Sequence, residues 1–139
     1  MKQESRMKKQ SKGQKSGLIK KLDDIFSKWV RLSNAADGFV NCFTCGKNYH
    51  WKKLHAGHFM SRTPHSTRWD ERNVNPQCFY CNIQLGGNQF VHGRKIDEKH
   101  GEGTSDELFR LSKTTVKYTP SDLQEKIAYY ERLVNEQLQ

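Results

Sequence analysis

Two Cys-x-x-Cys pairs, Cys42-Phe43-Thr44-Cys45 and Cys78-Phe79-Tyr80-Cys81, constrain this chain more than any other feature. Each pair puts two sulfurs on one tight turn, and two pairs can close a tetrahedral Zn²⁺ site whose binding contributes folding free energy outright. Thirty-two residues separate Cys45 from Cys78, more than the roughly 15–20 of a simple zinc ribbon. The insertion holds His55-Ala56-Gly57-His58 and Glu71-Arg72-Asn73-Val74-Asn75-Pro76. A zinc held by four thiolates keeps no open position for water or substrate, so any chemistry requires a second site.

A staple is needed because the core is small. The chain has 139 residues, one domain's worth, of which 34% are hydrophobic, with a mean hydropathy of −0.95. It has no 18-residue apolar run, and its basic N-terminus lacks the apolar stretch of a signal peptide. Both facts point away from export and from a membrane partner, toward a cytoplasmic, reducing setting in which paired cysteines bind metal rather than form disulfides.

The net charge is +9, with a sequence pI near 9.5. Eight of the 24 Lys/Arg and one of the 15 Asp/Glu fall in residues 1–21, so that stretch carries +7 and the remainder +2. Residues 1–17, rich in Lys, Gln and Ser, read as a disordered basic arm ahead of a single domain over 18–139. The plain reading is a solubilising tail. The alternative, a polyanion tracker, suits a basic arm beside a compact domain.

The spacing of Leu18, Leu22, Ile25, Phe26, Trp29 and Val30 predicts an amphipathic helix over 18–36, stopped by Asp37-Gly38. Phe39-Asn41 reads as a short strand into the first knuckle, where Gly46 meets a need for positive φ. Tyr49 to Phe59 has strand character and could form a hairpin, Met60 to Arg72 reads as a long loop, and Asn73 to Gln77 as another strand. Cys78 is expected to open a helix ending at Gly86-Gly87. A helical part over 105–138 follows: a short helix over Ser105–Leu111 capped by Ser105, then a last helix entered through a capping box at Ser121. The stripe Leu123, Ile127, Tyr130, Val134 of that last helix should pack on the first, or form a homodimer contact.

Phosphodiester hydrolysis requires a base for water and a cation for the charge that develops on phosphate oxygens. A neutral imidazole serves as base near pH 7, and a hard cation needs only one or two oxygen ligands from protein. His58 and Asn82 would supply these two parts, and Asn73 would brace the loop and orient His58. Singly, each has a plain reading: a packed strand histidine, a helix cap, a turn residue.

Taken together, His58, Asn73 and Cys78-x-x-Cys81-Asn82 resemble the HNH, or ββα-metal, nuclease motif, in the zinc-stapled version that ends in Asn. Cys42-x-x-Cys45-Gly46, Ala56-Gly57-His58-Phe59, Arg68-Trp69-Asp70-Glu71-Arg72-Asn73 and Gly87-Asn88 are similar to the NinG, or Rap, family of lambdoid phage recombination endonucleases. The resemblance covers about 39–95. It implies an α+β fold in which a small zinc-stapled ββα-metal core over 39–95 is flanked by N- and C-terminal helices. It also implies His58 as general base, Asn73 as brace, and Asn82 on a catalytic divalent ion such as Mg²⁺ or Mn²⁺, beside a structural Zn²⁺ on Cys42, Cys45, Cys78 and Cys81. The implied function is a DNA endonuclease for branched recombination intermediates (D-loops, Holliday junctions), a phage protein acting in the host cytoplasm.

Many HNH enzymes carry a metal ligand immediately before the base, and here that position is Gly57. His55 stands three residues before the base and is the replacement ligand, with Glu71 and His92 as further candidates. Strand alternation separates positions 55 and 58, so their convergence calls for a bulge at Ala56-Gly57. Lys52, Lys53, Arg62, Arg68 and Arg72 flank the site and are the candidate DNA contacts. Two other classes remain open: a non-catalytic zinc-stapled nucleic-acid-binding module and a zinc-dependent protein-interaction domain.

Overall fold

The computed structural model describes the backbone of residues 2–139 and the side chains of residues 12–139. Helix α1 spans Lys2–Leu32. It therefore includes most of the stretch read as a disordered arm; Lys, Gln, Arg and Met are good helix formers and no proline interrupts them. Met1 and the side chains of residues 2–11 lie outside the described residues. From Leu18 onward α1 carries the expected apolar stripe, with Leu22, Phe26 and Val30 buried. It ends at Leu32 rather than at 36. Ser33 bonds back to the Val30 carbonyl, and Ala36 exchanges both backbone hydrogen bonds with Phe39 across Asp37 and Gly38. Both turn residues have positive φ, 51° and 83°, which is the two-residue hairpin geometry that Asp-Gly favours.

Strand β1 (Phe39–Asn41) pairs antiparallel with β2 (Asn48–His50) around the first knuckle, where Gly46 has φ 78°. A 3-10 turn, Trp51–Lys53, leads to β3 (His55–His58), which pairs antiparallel with β4 (Val74–Gln77). The hairpin expected within 49–59 is thus absent. β2 closes back on β1 and β3 pairs forward, giving two separate two-stranded sheets. The connection read as a loop contains one helical turn, α2 (His65–Arg68).

After Cys78 the chain makes a π-helical turn over Tyr80–Gln84 instead of an α-helix. Its wide bond runs from Leu85 N–H to the Tyr80 carbonyl, 2.9 Å, and such turns recur at functional sites. Gly86 and Gly87 end it with φ 60° and 94°. Helix α3 (Gln89–His100) was not anticipated. α4 spans Thr104–Ser112 and starts from Gly103, not from a Ser105 cap; the amide and hydroxyl of Ser105 both bond Asp97 of α3. α5 (Pro120–Leu138) begins with a capping box two residues earlier than read, between Thr119 and Asp122, with Pro120 in the first turn.

Two cores result. Leu22, Phe26 and Val30 of α1 pack with Leu123, Ile127 and Tyr130 of α5 and with Trp69 and Val74. Each of the four buried α5 residues contributes about 1.5–3 kcal/mol of transfer free energy. The α1–α5 packing occurs within one chain, the first of the two expectations for that stripe. The second core is Val40, Leu54, Cys42, Cys78 and Cys81. No helix among the described residues is long and apolar enough to cross a membrane.

A candidate metal centre and an adjoining histidine cleft

The ligand atoms of Cys42, Cys45, Cys78 and Cys81 lie within 4.8 Å of one another, and Cys45 Sγ is 3.8 Å from Cys78 Sγ. Zn–S bonds of ~2.3 Å in a tetrahedron require S···S edges of about 3.8 Å, so the four sulfurs fit a zinc-sized ion. Their electrostatics are compatible with one. Burial opposes the Cys42 thiolate, but the amides of Cys45 and Cys78 and the Thr44 hydroxyl draw it down to about 6. Burial, reinforced by Cys42 and Cys78, pushes the Cys45 thiol up to about 12. Four thiolates this close cannot coexist without a cation to neutralise them. The cluster can therefore hold a structural metal such as zinc, and it is the only group of three or more His, Cys, Asp or Glu among the described residues that could.

The metal cluster joins directly to the β3–β4 pair. Cys78 follows the last residue of β4, and the Phe43 amide donates to the Pro76 carbonyl at 2.7 Å. β4 is buried along its whole length. Its register with β3 is unbroken: His55 faces Gln77, Ala56 faces Pro76, Gly57 faces Asn75, His58 faces Val74. The bulge expected at Ala56-Gly57 does not exist. Gly57 is closed space rather than a vacant ligand position, because a Cβ there would stand 1.9 Å from Oε1 of Gln77.

Asn82 contacts one histidine and shares a cleft with the other. Its Nδ2 lies 3.0 Å from Nδ1 of His55. It also lines a cleft of about 320 Å³ together with His58, Ala56, Arg62, Asp23 and Ser27. In that cleft Nε2 of His58 is 2.9 Å from the Arg68 carbonyl oxygen. A carbonyl only accepts, so Nε2 carries the proton and Nδ1 keeps its lone pair. Burial lowers the His58 pKa, the Arg68 carbonyl opposes this, and Arg62 adds to the lowering. The ring is therefore neutral at pH 7.

Asn73 is fully buried, and its side-chain hydrogen bonds go to Met60 and Thr67 rather than to His58. Its Oδ1 accepts from Met60 N–H at 2.7 Å, and its Nδ2 donates to the carbonyls of Met60 and Thr67. It pins both ends of the segment that presents the Arg68 carbonyl. Asp23 of α1, absent from the sequence expectations, holds the side chain of that same residue. Its carboxylate accepts from Nε and Nη2 of Arg68 and from Nε1 of Trp69. No spacing in the sequence signals this pairing across 45 residues.

The predicted cations divide into two groups. Arg68 is taken up by Asp23 and the Arg62 carbonyl, and Arg72 by Asp70 and Glu107, so both serve as ties within the chain. Arg62 is exposed at the cleft, and Lys52 and Lys53 are exposed on the 3-10 turn before β3. The other ligand candidates lie elsewhere: Glu71 accepts from the Tyr130 hydroxyl, and His92 is buried against Asn75.

No curated protein and no solved structure matches the chain. A family model described as bacteriophage lambda NinG protein matches residues 1–138, essentially the whole length. With the four cysteines, the histidine strand and the segment between them all inside that match, the chain belongs to the bacteriophage lambda NinG protein family.

Proposed function

We propose that the protein is a metal-dependent DNA endonuclease of the HNH type, acting on branched recombination intermediates. The observation that carries this reading is His58: neutral, with its proton held on Nε2 by a backbone carbonyl, in a cleft shared with Asn82. With Nε2 protonated, Nδ1 carries the lone pair that would take a proton from water near neutral pH. Asn82 Nδ2 and His55 Nδ1 are in hydrogen-bond contact; turning the amide over would set its oxygen beside the ring nitrogen, a pair of ligand atoms suited to an ion bound sparsely by protein. A divalent ion bound there would stabilise negative charge on the phosphate and leaving oxygens. An imidazole in place of a carboxylate shifts the preference toward Mn²⁺ relative to Mg²⁺. Arg62 at the cleft rim is placed to meet a phosphate.

The test is incubation of the zinc-loaded protein with a synthetic four-way junction and with linear duplex, in Mg²⁺ or Mn²⁺. Cleavage that falls by about 10²–10⁴ in His58→Ala is the expected result. Cleavage that survives His58→Ala unchanged would exclude this site. Binding without cleavage by the wild-type protein would identify a non-catalytic nucleic-acid-binding module instead.

A further inference from the structure

Three cations surround one indole beside the cleft. The Arg31 guanidinium lies 5.2 Å from the centroid of the Trp51 ring, Lys52 Nζ 5.8 Å and Lys28 Nζ 6.0 Å. They come from two elements, the last turns of α1 and the 3-10 turn ahead of β3. From these distances no two of the charges are more than about 12 Å apart, close to the ~10 Å screening length at 0.1 M salt. Among the described residues none of the three forms an ion pair. Asp24, one helical turn before Lys28, does not reach it. The ring's quadrupole holds the charges in place but neutralises none of them. A fixed cluster of +3 with no acid of its own is a site for an anion.

The cluster is continuous with the cleft. Ser27 lines the cleft, and Nε of Arg31 donates to the Ser27 carbonyl at 3.1 Å. A polyanion that entered beside His58 and Asn82 would meet this cluster within one turn of α1. Of the other cations near the cleft, Arg68 and Arg72 are held by carboxylates, and Arg62 lines the cleft itself. We infer that Lys28, Arg31 and Lys52, arrayed on Trp51, form the phosphate-backbone site that holds nucleic acid next to the cleft. The inference rests on the nuclease reading for the identity of the polyanion, but it concerns binding and not the chemical step. A site of this kind reads charge and not sequence, and its signature is salt dependence.

The experiment is fluorescence anisotropy of a labelled duplex and a labelled four-way junction across a salt series, without added divalent ion. The wild-type chain is compared with Lys28→Gln/Lys52→Gln, and with the triple variant that adds Arg31→Gln. Because Arg31 is half-buried, the double variant guards against loss of fold. If two phosphate contacts are lost, the slope of log affinity against log salt drops by up to about 1.8. Affinity at 0.1 M salt then falls by up to about 60-fold.

An unchanged slope in the double variant overturns the inference while the nuclease reading stands. An equal loss in Lys95→Gln/Lys113→Gln, which removes the same charge on α3 and after α4, also overturns it, because net charge alone would then explain binding. A wild-type chain that binds no DNA removes both readings together.

Discussion

Replacing Gly57 by alanine tests the geometry of the strand pair that carries both histidines. A Cβ at this position would stand 1.9 Å from Oε1 of Gln77, 2.6 Å from its Cδ and 2.8 Å from its Cγ. Because Cγ is involved as well as the tip, rotating the terminal amide does not relieve the clash. The whole side chain has to leave. Gln77 is fully buried, and its Nε2 donates to Thr44 Oγ1 at 3.2 Å and to the Gly87 carbonyl at 2.9 Å. Those two bonds are worth about 1 kcal/mol each, and overpacking adds about 1–3 kcal/mol. The expected cost is therefore about 3–5 kcal/mol, or roughly 10–20 °C in Tm for a chain of this size.

Thermal melts of the zinc-loaded protein, followed by circular dichroism, measure this directly. Gly57→Ala/Gln77→Ala should be less destabilised than the sum of the two single variants, since removing the glutamine removes the obstacle, and a coupling above about 1 kcal/mol is expected. A Gly57→Ala protein that melts within about 2 °C of wild type would refute the reasoning, because it would mean the strands separate here at little cost. The same geometry predicts that Gly57→Asp, which puts a carboxylate immediately before His58, costs stability and brings no gain in cleavage.

Stripping the metal with a chelator should unfold the β1–β2 knuckle and the π turn together, seen as loss of near-UV dichroism, and should be reversed by Zn²⁺ alone. His92 is fully buried, and burial, with a smaller contribution from His58, lowers its pKa to about 4. The unfolded chain, titrating near 6.5, therefore takes up a proton first. About 3 kcal/mol of stability, fully present above pH 6.5, is lost as the pH falls toward 4. Urea melts across that range should show a shallower pH slope for His92→Gln than for wild type. Asp23→Asn should cost about 2–3 kcal/mol, less than the ~3–5 of a fully buried pair because Asp23 and Arg68 keep some solvent contact. It should also slow cleavage without changing DNA affinity, and a pH–rate profile shifted along with kcat would separate this from a simple loss of fold.

The elements legible in the sequence are those whose period is set by one apolar face. The stripes Leu22-Phe26-Val30 and Leu123-Ile127-Tyr130-Val134 are both buried, and the cysteine spacing alone points to the four-cysteine cluster. Helix α3 was invisible because its inward residues are His92, Gly93 and Ile96 while Phe90 is 76% exposed; glycine and histidine on the buried side leave no apolar period to read. Gly93 is on that side because a Cβ would come within 3.2 Å of the Phe59 ring. The capping box was misplaced because Ser121 and Thr119 are both plausible caps. Pro120 decides between them, since its fixed φ suits the first helical position. The role of Asp23 was illegible in principle. Its partners, Arg68 and Trp69, become neighbours only when α1 packs across the β3–β4 pair.

The β3–β4 pair is held at its two ends by different devices. At one end His55 faces Gln77, which bonds Thr44 of the first knuckle and precedes Cys78, whose amide donates to Cys42 Sγ. At the other end His58 faces Val74, and Asn73 ties Met60 to Thr67 while Asp23 grips Arg68. The cysteine cluster therefore governs where His55 and Asn82 sit relative to each other, since Asn82 directly follows Cys81. The hydrogen-bonded loop governs how His58 is turned and which nitrogen bears its proton. A small chain with 34% hydrophobic residues has too little core to fix both ends of the pair by packing alone. A metal on the four cysteines at one end would add, to the buried amide and ion pair at the other, rigidity that does not scale with apolar area. Between the knuckles the chain runs out along β3, makes the braced turn that faces His58, and returns along β4 to Cys78.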